Sequence, residues 1–244
     1  MPIQWYAADQ NTSNPGQGGI YYSILVPDSA INKRGYSLST LALHRATFRI
    51  TDSDLEFMVL EKDTMPGHFQ DYQVVREGVL DNNMMAEHGF DGSTPERFQE
   101  AGRISGFMRE FGPTANMQVF EGLDFVGATV AHLFETPEAV SGWINDVFIK
   151  DFEDNVGNSV GETQQLISVQ RLETSGFYDE SAALKILQGG AAGVMSSTVI
   201  DFRVGRLLGV AFIGSIGDQD RLEMASELAY SLEKQIVQVV LGAH

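Results

Sequence analysis

Four side chains are of the types that carry general acid–base hydrolysis: His88, His132, Asp179 and Glu180. That chemistry needs such groups to converge on one cleft, with pKa values pushed apart by their surroundings. The chain has no G-x-S-x-G elbow and no S-x-x-K, so such a site would have to assemble in space from distant segments. Of the five histidines, His44 and His132 stand in apolar stretches, His68 and His88 lie beside glycine turns, and His244 is terminal. A structural role in a turn, or half-buried in a strand, accounts for each of them as well. Asp179 and Glu180 are adjacent, and neighbours on a strand point to opposite faces, so they share a site only where the strand is irregular. The chain has no cysteine, which excludes disulfides, thiol catalysis and cysteine-ligated metals.

Two further groupings bear on binding. Asp151, Glu153, Asn155 and Glu162 stand at positions one, three, five and twelve of a loop resembling an EF-hand calcium site. Val156 occupies the position that needs glycine, and a polar helix-to-strand loop is the alternative reading. Calcium is the one cofactor these residues suggest. Met84, Met85, Phe107 and Met108, with Phe90, Phe98 and Phe111, form a Met and aromatic group suited to an apolar ligand pocket, because methionine adapts to irregular surfaces. Core packing between short helices and a sheet explains the same group.

The elements that must position these residues follow from periodicity. Residues 9–19 are polar and rich in Gly and Asn, and read as a loop. Ile20–Val26 and Leu38–Ile50 read as strands, and a short helix is expected from Ser53, stopping at Pro66-Gly67. Asp81–Phe90 and Ser93–Arg103 read as short helices, the second capped by Thr94 with Pro95 at its first position. Strands are expected over Arg103–Phe111, Phe125–Phe134, Gln164–Glu173 and Ser181–Leu187. Thr136 and Pro137 start a helix whose apolar stripe is Val140, Trp143, Ile144, Val147 and Phe148.

The segment Thr198–Gly242 reads as a hairpin turning at Gly205, followed by a long helix. The register places Ile200 opposite Ala211 and Phe202 opposite Gly209, large against small, so that a covering helix lies close. Asp218 or Asp220 is the expected cap of that helix, and Leu222, Ala225, Ala229, Leu232, Ile236 and Val239 its buried stripe. On the hairpin's opposite face Asp201 and Arg203 stand among Val199, Leu208, Val210 and Phe212 without a packing role, as ion-pair partners or as a polar contact on a second buried face. Hairpins with helices between them predict an α+β fold built on an antiparallel sheet.

Composition sets the outer limits. With 244 residues, 43% of them apolar, the chain can bury an ample core, divided here into an irregular extension over 1–52 and one α+β domain over 53–244. No apolar run approaches the ~20 residues that span a bilayer, and no signal-peptide order is seen, so a soluble chain is expected. The formal charge of −17 repels phosphate backbones and anionic membranes, and with no basic patch beyond residues 31–35, nucleic-acid binding is not expected.

Three segments carry a resemblance. LEFMVLEKDTMPGHF resembles a short helix plus DLPxGF segment, GFYDESAALKI a GDE-x-A strand, and VIDFRVGRLLGVAFIG with LAYSLEKQIV an F-R-x-G hairpin and closing helix. In this order they resemble uncharacterised bacterial extracytoplasmic proteins of the PsbP/Mog-like, lipoprotein-sensor fold, over roughly Ser53 to Gly242. Thr64-Met65 and Tyr178 depart from the pattern, the lipobox cysteine is absent, and residues 1–50 have no counterpart. The resemblance implies an antiparallel sheet flanked by helices and an exported, non-enzymatic binding or interaction module, with a small apolar ligand or a protein as partner. A hydrolase using the histidines and carboxylates above, and a homo-oligomer joined through the Ile20–Val26 arm, are the alternatives.

Overall fold

The turn at Gly205 sets the architecture. Gly205 takes φ 59° in the two-residue connection between Val204 and Leu207, a left-handed conformation that glycine adopts without steric penalty. The expected register follows from it: Ile200 pairs with Ala211, and Phe202 with Gly209. The computed structural model describes residues 38–113, 120–160, 164–190 and 193–242, and the strand expected over Ile20–Val26 lies outside them.

These residues form an eight-stranded, wholly antiparallel sheet. Its strands are β1 (Tyr72–Val79), β2 (Arg103–Pro113), β3 (Asp124–Phe134), β4 (Ser159–Val160), β5 (Gln164–Leu172), β6 (Ser181–Gly190), β7 (Gly193–Val204) and β8 (Leu207–Ile216). In space they run β1-β2-β3-β8-β7-β6-β5-β4, so the predicted hairpin lies at the centre of the sheet. β1 lacks a clean alternation in the sequence, because its adjacent Val74 and Val75 break it. A bulge between Val74 and Arg76 is the structural counterpart of that break.

One face of the sheet is covered by the last helix, labelled α6 (Leu222–Val240). Ala225, Leu228, Ala229, Leu232, Ile236 and Val239 are buried in the same cluster as Ile200, Phe202, Ala211 and Ile213. The small residues on β8 leave the space that Phe202 fills: a methyl group at Gly209 would stand 2.2 Å from its Cζ. Neither expected residue is the cap: the N-cap position is Arg221, without a side-chain cap bond, while Asp220, one residue earlier, accepts from Leu222 N at 3.0 Å and Asp218 pairs with Lys185 at 2.6 Å. Gly242, at φ 73°, follows the end of the helix.

The strand expected over Leu38–Ile50 is instead a helix, α1 (Leu38–Ala46), followed by a 3₁₀ turn over Thr47–Arg49. Its inward residues Leu43, Ala46, Thr47 and Ile50 recur at three to four positions, a helical spacing that partial alternation of leucines concealed. Leu43 and Ile50 belong to the α6-side core. The helix expected from Ser53 is divided into 3₁₀ turns over Asp52–Phe57, Lys62–Thr64 and Gly67–Phe69, which bury Leu55, Met58, Val59, Leu60 and Phe69.

The opposite face is covered by shorter pieces. These are α2 (Asn82–Glu87), α3 (Pro95–Glu100) and α4 (Pro137–Gly142), the last continuing as a π-helical segment (Trp143–Ile149) into α5 (Lys150–Asp154). Thr94 and Thr136 cap α3 and α4 as expected, each accepting from the backbone N–H three residues on.

The interlock of Phe202 with Gly209 predicts that Gly209→Ala lowers the unfolding free energy by roughly 1–3 kcal/mol in urea denaturation. Adding Phe202→Leu should recover part of that loss. A purely additive double mutant would place the cost elsewhere than in this pair.

Candidate functional site

Strand parity decides what the second face carries. With Phe202 and Ala211 turned toward α6, the residues that alternate with them along β7 and β8 turn the other way. Met108, Val130, Val210 and Asp201 therefore form one row across β2, β3, β8 and β7. His132 and Leu208 lie in the next row on one side, Glu110, Phe212 and Val199 in the next on the other.

Above these rows, α2, α3 and the π-helical segment do not fill the space that α6 fills below. They leave a cavity of about 450 Å³ bordered by Met85, Phe98, Trp143, Phe148, Val210 and Asp201, among others. A π turn inserts an extra residue into a helix and is common at functional positions. Trp143 and Phe148, which begin and nearly end it, both face the cavity. Trp143 is held edge-on to Phe134 at 5.4 Å and tilted against Phe98 at 5.5 Å, so this wall is a rigid aromatic cluster.

The polar groups of the cavity fall into two kinds. Those nearer its margins are neutralised: Glu110 holds Arg76 through two contacts of 2.9 Å, and Asp151 accepts from Arg97 at 2.7 Å. Those deeper are not surrounded by counter-charges. Asp201 retains 2% of its surface, borders the cavity, and accepts no hydrogen bond from any described residue. Burial alone pushes its carboxyl well above the usual carboxylate range. Arg203, two residues along the same strand face, turns away to Asp179 at 2.6 Å and to Glu180 at 3.6 Å.

His132 borders the same space and is held from behind. Arg103, itself 1% exposed, donates to its Nδ1 at 3.0 Å, to the Leu80 carbonyl and to Asn82 Oδ1. Burial first, and Arg103 second, push the His132 pKa well below its ordinary value, so the ring is neutral, with Nδ1 accepting and the proton on Nε2. Burial likewise lowers Arg103 to about 10. Gly106 makes this arrangement possible, because a methyl group there would stand 2.4 Å from His132 Nδ1.

The sequence-derived candidates separate accordingly. His88 and His132 both border the cavity, as do Met85 and Met108. Met84 packs beside Leu80 and Val130, and Phe107, of opposite parity to Met108, packs toward the α6 face. Asp179 and Glu180 do not join the histidines at the cavity. They precede β6, where the chain is irregular, and for that reason both reach Arg203 although adjacent residues on a strand would diverge. Asp179 also meets His44 Nε2 at 2.5 Å, and Glu180 accepts from Ser141 Oγ at 2.6 Å and Asn145 Nδ2 at 3.0 Å. These contacts fasten α1 and α4 to the end of the sheet.

In the loop with calcium-site spacing, Asp151 is engaged by Arg97 and Glu153 by Arg171. Asn155 donates to the Asp151 carbonyl, and Glu162 lies outside the described residues. Among the described residues no three acidic or histidine side chains converge as metal ligands would.

No family model and no curated protein matches the sequence. Among solved structures, the extracellular domain of PknH from Mycobacterium tuberculosis superposes over 77% of this chain and 96% of its own, with TM-score 0.52 and 10% identity. The chain shares its fold. An ortholog of Rv0999 from Mycobacterium smegmatis (TM-score 0.39, 11% identity, 68% and 90% coverage) is more distant, as is the Ran-binding protein Mog1p of Saccharomyces cerevisiae (0.24, 12%, 55% and 74%). What is shared with PknH is an α+β architecture, an antiparallel sheet flanked by helices, and no site residue is transferred by it. Among the described residues no helix is long and apolar enough to cross a membrane.

The buried Asp201 carboxyl binds its proton more tightly in the folded than in the unfolded chain, so it subtracts stability as pH rises above the ordinary carboxylate range of about 4. Asp201→Asn keeps the shape and removes the ionisation. It should raise the melting temperature at pH 8, by more than about 1 kcal/mol of stability, and raise it less at pH 5. Equal effects at the two pH values would show that Asp201 ionises as freely in the fold as outside it.

Proposed function

We propose that this chain is a non-enzymatic binding module that takes a small, largely apolar ligand into the cavity between the sheet and the π-helical segment. The observation that carries this reading is the cavity itself. Its volume of about 450 Å³ falls within the ~300–1,000 Å³ typical of small-molecule sites, and its lining is mainly methionine, aliphatic and aromatic, with polar and charged residues as the minority. A binding role also accords with the state of the titratable groups. The His132 ring is turned to Arg103, and the carboxylates once paired with it in a hydrolytic reading serve the joint between helices and sheet. An exported setting is part of the proposal, motivated by the shared fold with an extracellular domain.

A neutral environment-sensitive dye, N-phenyl-1-naphthylamine, tests the reading. The folded protein should bind one dye per chain with enhanced fluorescence, and Val210→Trp, which places an indole in the middle of the floor, should abolish binding without unfolding the chain. Absence of binding, or binding indifferent to Val210→Trp, would leave the cavity without a role.

A further inference from the structure

The floor of the cavity contains one feature that an apolar ligand alone does not explain. A carboxylate buried without a partner is among the costlier arrangements a fold can contain, and buried charges are ordinarily paired. The arginines described above all have partners other than Asp201. Arg203 donates through Nη2 to Asp179 and stands 3.6 Å from Glu180, its buried Nε making no hydrogen bond, to Asp201 or to any other described residue; Arg76 is held by Glu110, and Arg97 by Asp151. Arg103 is spent on His132, Asn82 and the Leu80 carbonyl. Besides Arg203, the neighbours of Asp201 on its own face of the sheet are Val199, Val210 and Ala182, none of which donates a hydrogen bond from its side chain. Asp201 itself lines the cavity.

We propose that the ligand is an organic cation, a protonated amine on an apolar or aromatic body, whose ammonium group pairs with Asp201 at the cavity floor. This rests on the binding role proposed above and names the chemical class that fills it. The surroundings fit such a guest in two further ways. The walls present the aromatic rings of Phe90, Phe98, Trp143, Phe148, Phe152 and Phe212, whose faces attract cations as well as apolar surface. The chain as a whole carries a formal charge of −17, a field that concentrates cations near any opening. An anionic guest would meet an unpaired carboxyl group, two margin carboxylates and an imidazole held neutral, and the arginine of the lining, Arg76, is already paired with Glu110.

Three compounds of one shape separate the possibilities: 4-phenylbutylamine, 4-phenylbutanol and 4-phenylbutyrate, each competing with N-phenyl-1-naphthylamine at pH 7. The amine should displace the dye at concentrations roughly tenfold or more below the alcohol, as for a close buried charge pair, and the acid should be weakest. Asp201→Asn should still bind the dye but treat amine and alcohol alike. Glu110→Gln, a charge removed at the margin rather than the floor, should keep the preference, which separates a contact with Asp201 from general attraction to an acidic protein. Dye binding with no preference for the amine, or a preference that survives Asp201→Asn, would overturn the cation while leaving the cavity reading intact. If the dye does not bind at all, both readings fall together.

Discussion

The register of one hairpin governs most of this molecule. Because side chains alternate along a strand, pairing Phe202 with Gly209 and Ile200 with Ala211 settles in one step which residues of β7 and β8 face α6 and which do not. A slip by one residue would turn Asp201 and Arg203 into the α6 core and expel Phe202 from it. The interlock of a phenylalanine with a glycine makes such a slip expensive, since the ring would then lose the space that Gly209 leaves for it. The same parity, carried across β3 and β2 by their own pairing, lines up Val130 and Met108 with Val210 and Asp201. The row that forms the cavity floor is therefore a consequence of the packing on the other side of the sheet.

The two faces differ in how they are covered, and that difference creates the site. A single helix of 19 residues presents a continuous stripe to one face, and α1 and the 3₁₀ turns complete the cover there. The other face is covered by helices of five or six residues, with only the π-helical segment between α4 and α5 extending one of them. Short helices meet a twisted sheet at several angles and leave wedges between their ends. Here one such wedge lies over the row containing Asp201. The fold shared with the extracellular domain of PknH accounts for the sheet and its helices, and the filling of that wedge is a property of this chain's own side chains.

What could be read from the sequence divides along the same line. The hairpin, its register, the α6 stripe and the threonine-proline starts of α3 and α4 were all legible, because each is specified by residues close in sequence with an unbroken period. Where the period is broken, reading failed: the bulge hid β1, and alternating leucines disguised α1 as a strand. The methionine cluster was half legible. Met85 and Met108 reach the cavity, whereas Phe107 does not, simply because it is the odd neighbour of Met108 on the same strand. The cavity itself could not be read, since an unfilled space between β2, β3, β7, β8 and three helices leaves no local pattern. Its one signal was chemical. Asp201 and Arg203 stood out as charged residues on an apolar strand face, and only one of the two proved to have a partner in the fold.

That asymmetry between Asp201 and Arg203 is the most informative detail of the charge arrangement. Two residues apart on one strand face, they could have neutralised each other and left an electrically quiet floor. Instead Arg203 is shared by Asp179 and Glu180, which lie where the chain is irregular just before β6. Those two carboxylates bring further bonds, from His44 in α1 and from Ser141 and Asn145 in α4 and the π-helical segment, so the guanidinium joins a network that reaches elements on both sides of the sheet. A network of that kind is worth more to the fold than an isolated pair, because each member fixes the geometry of the next. The fold thus draws its nearest cation toward the end of the sheet, and the carboxylate at the centre is left to whatever enters the cavity.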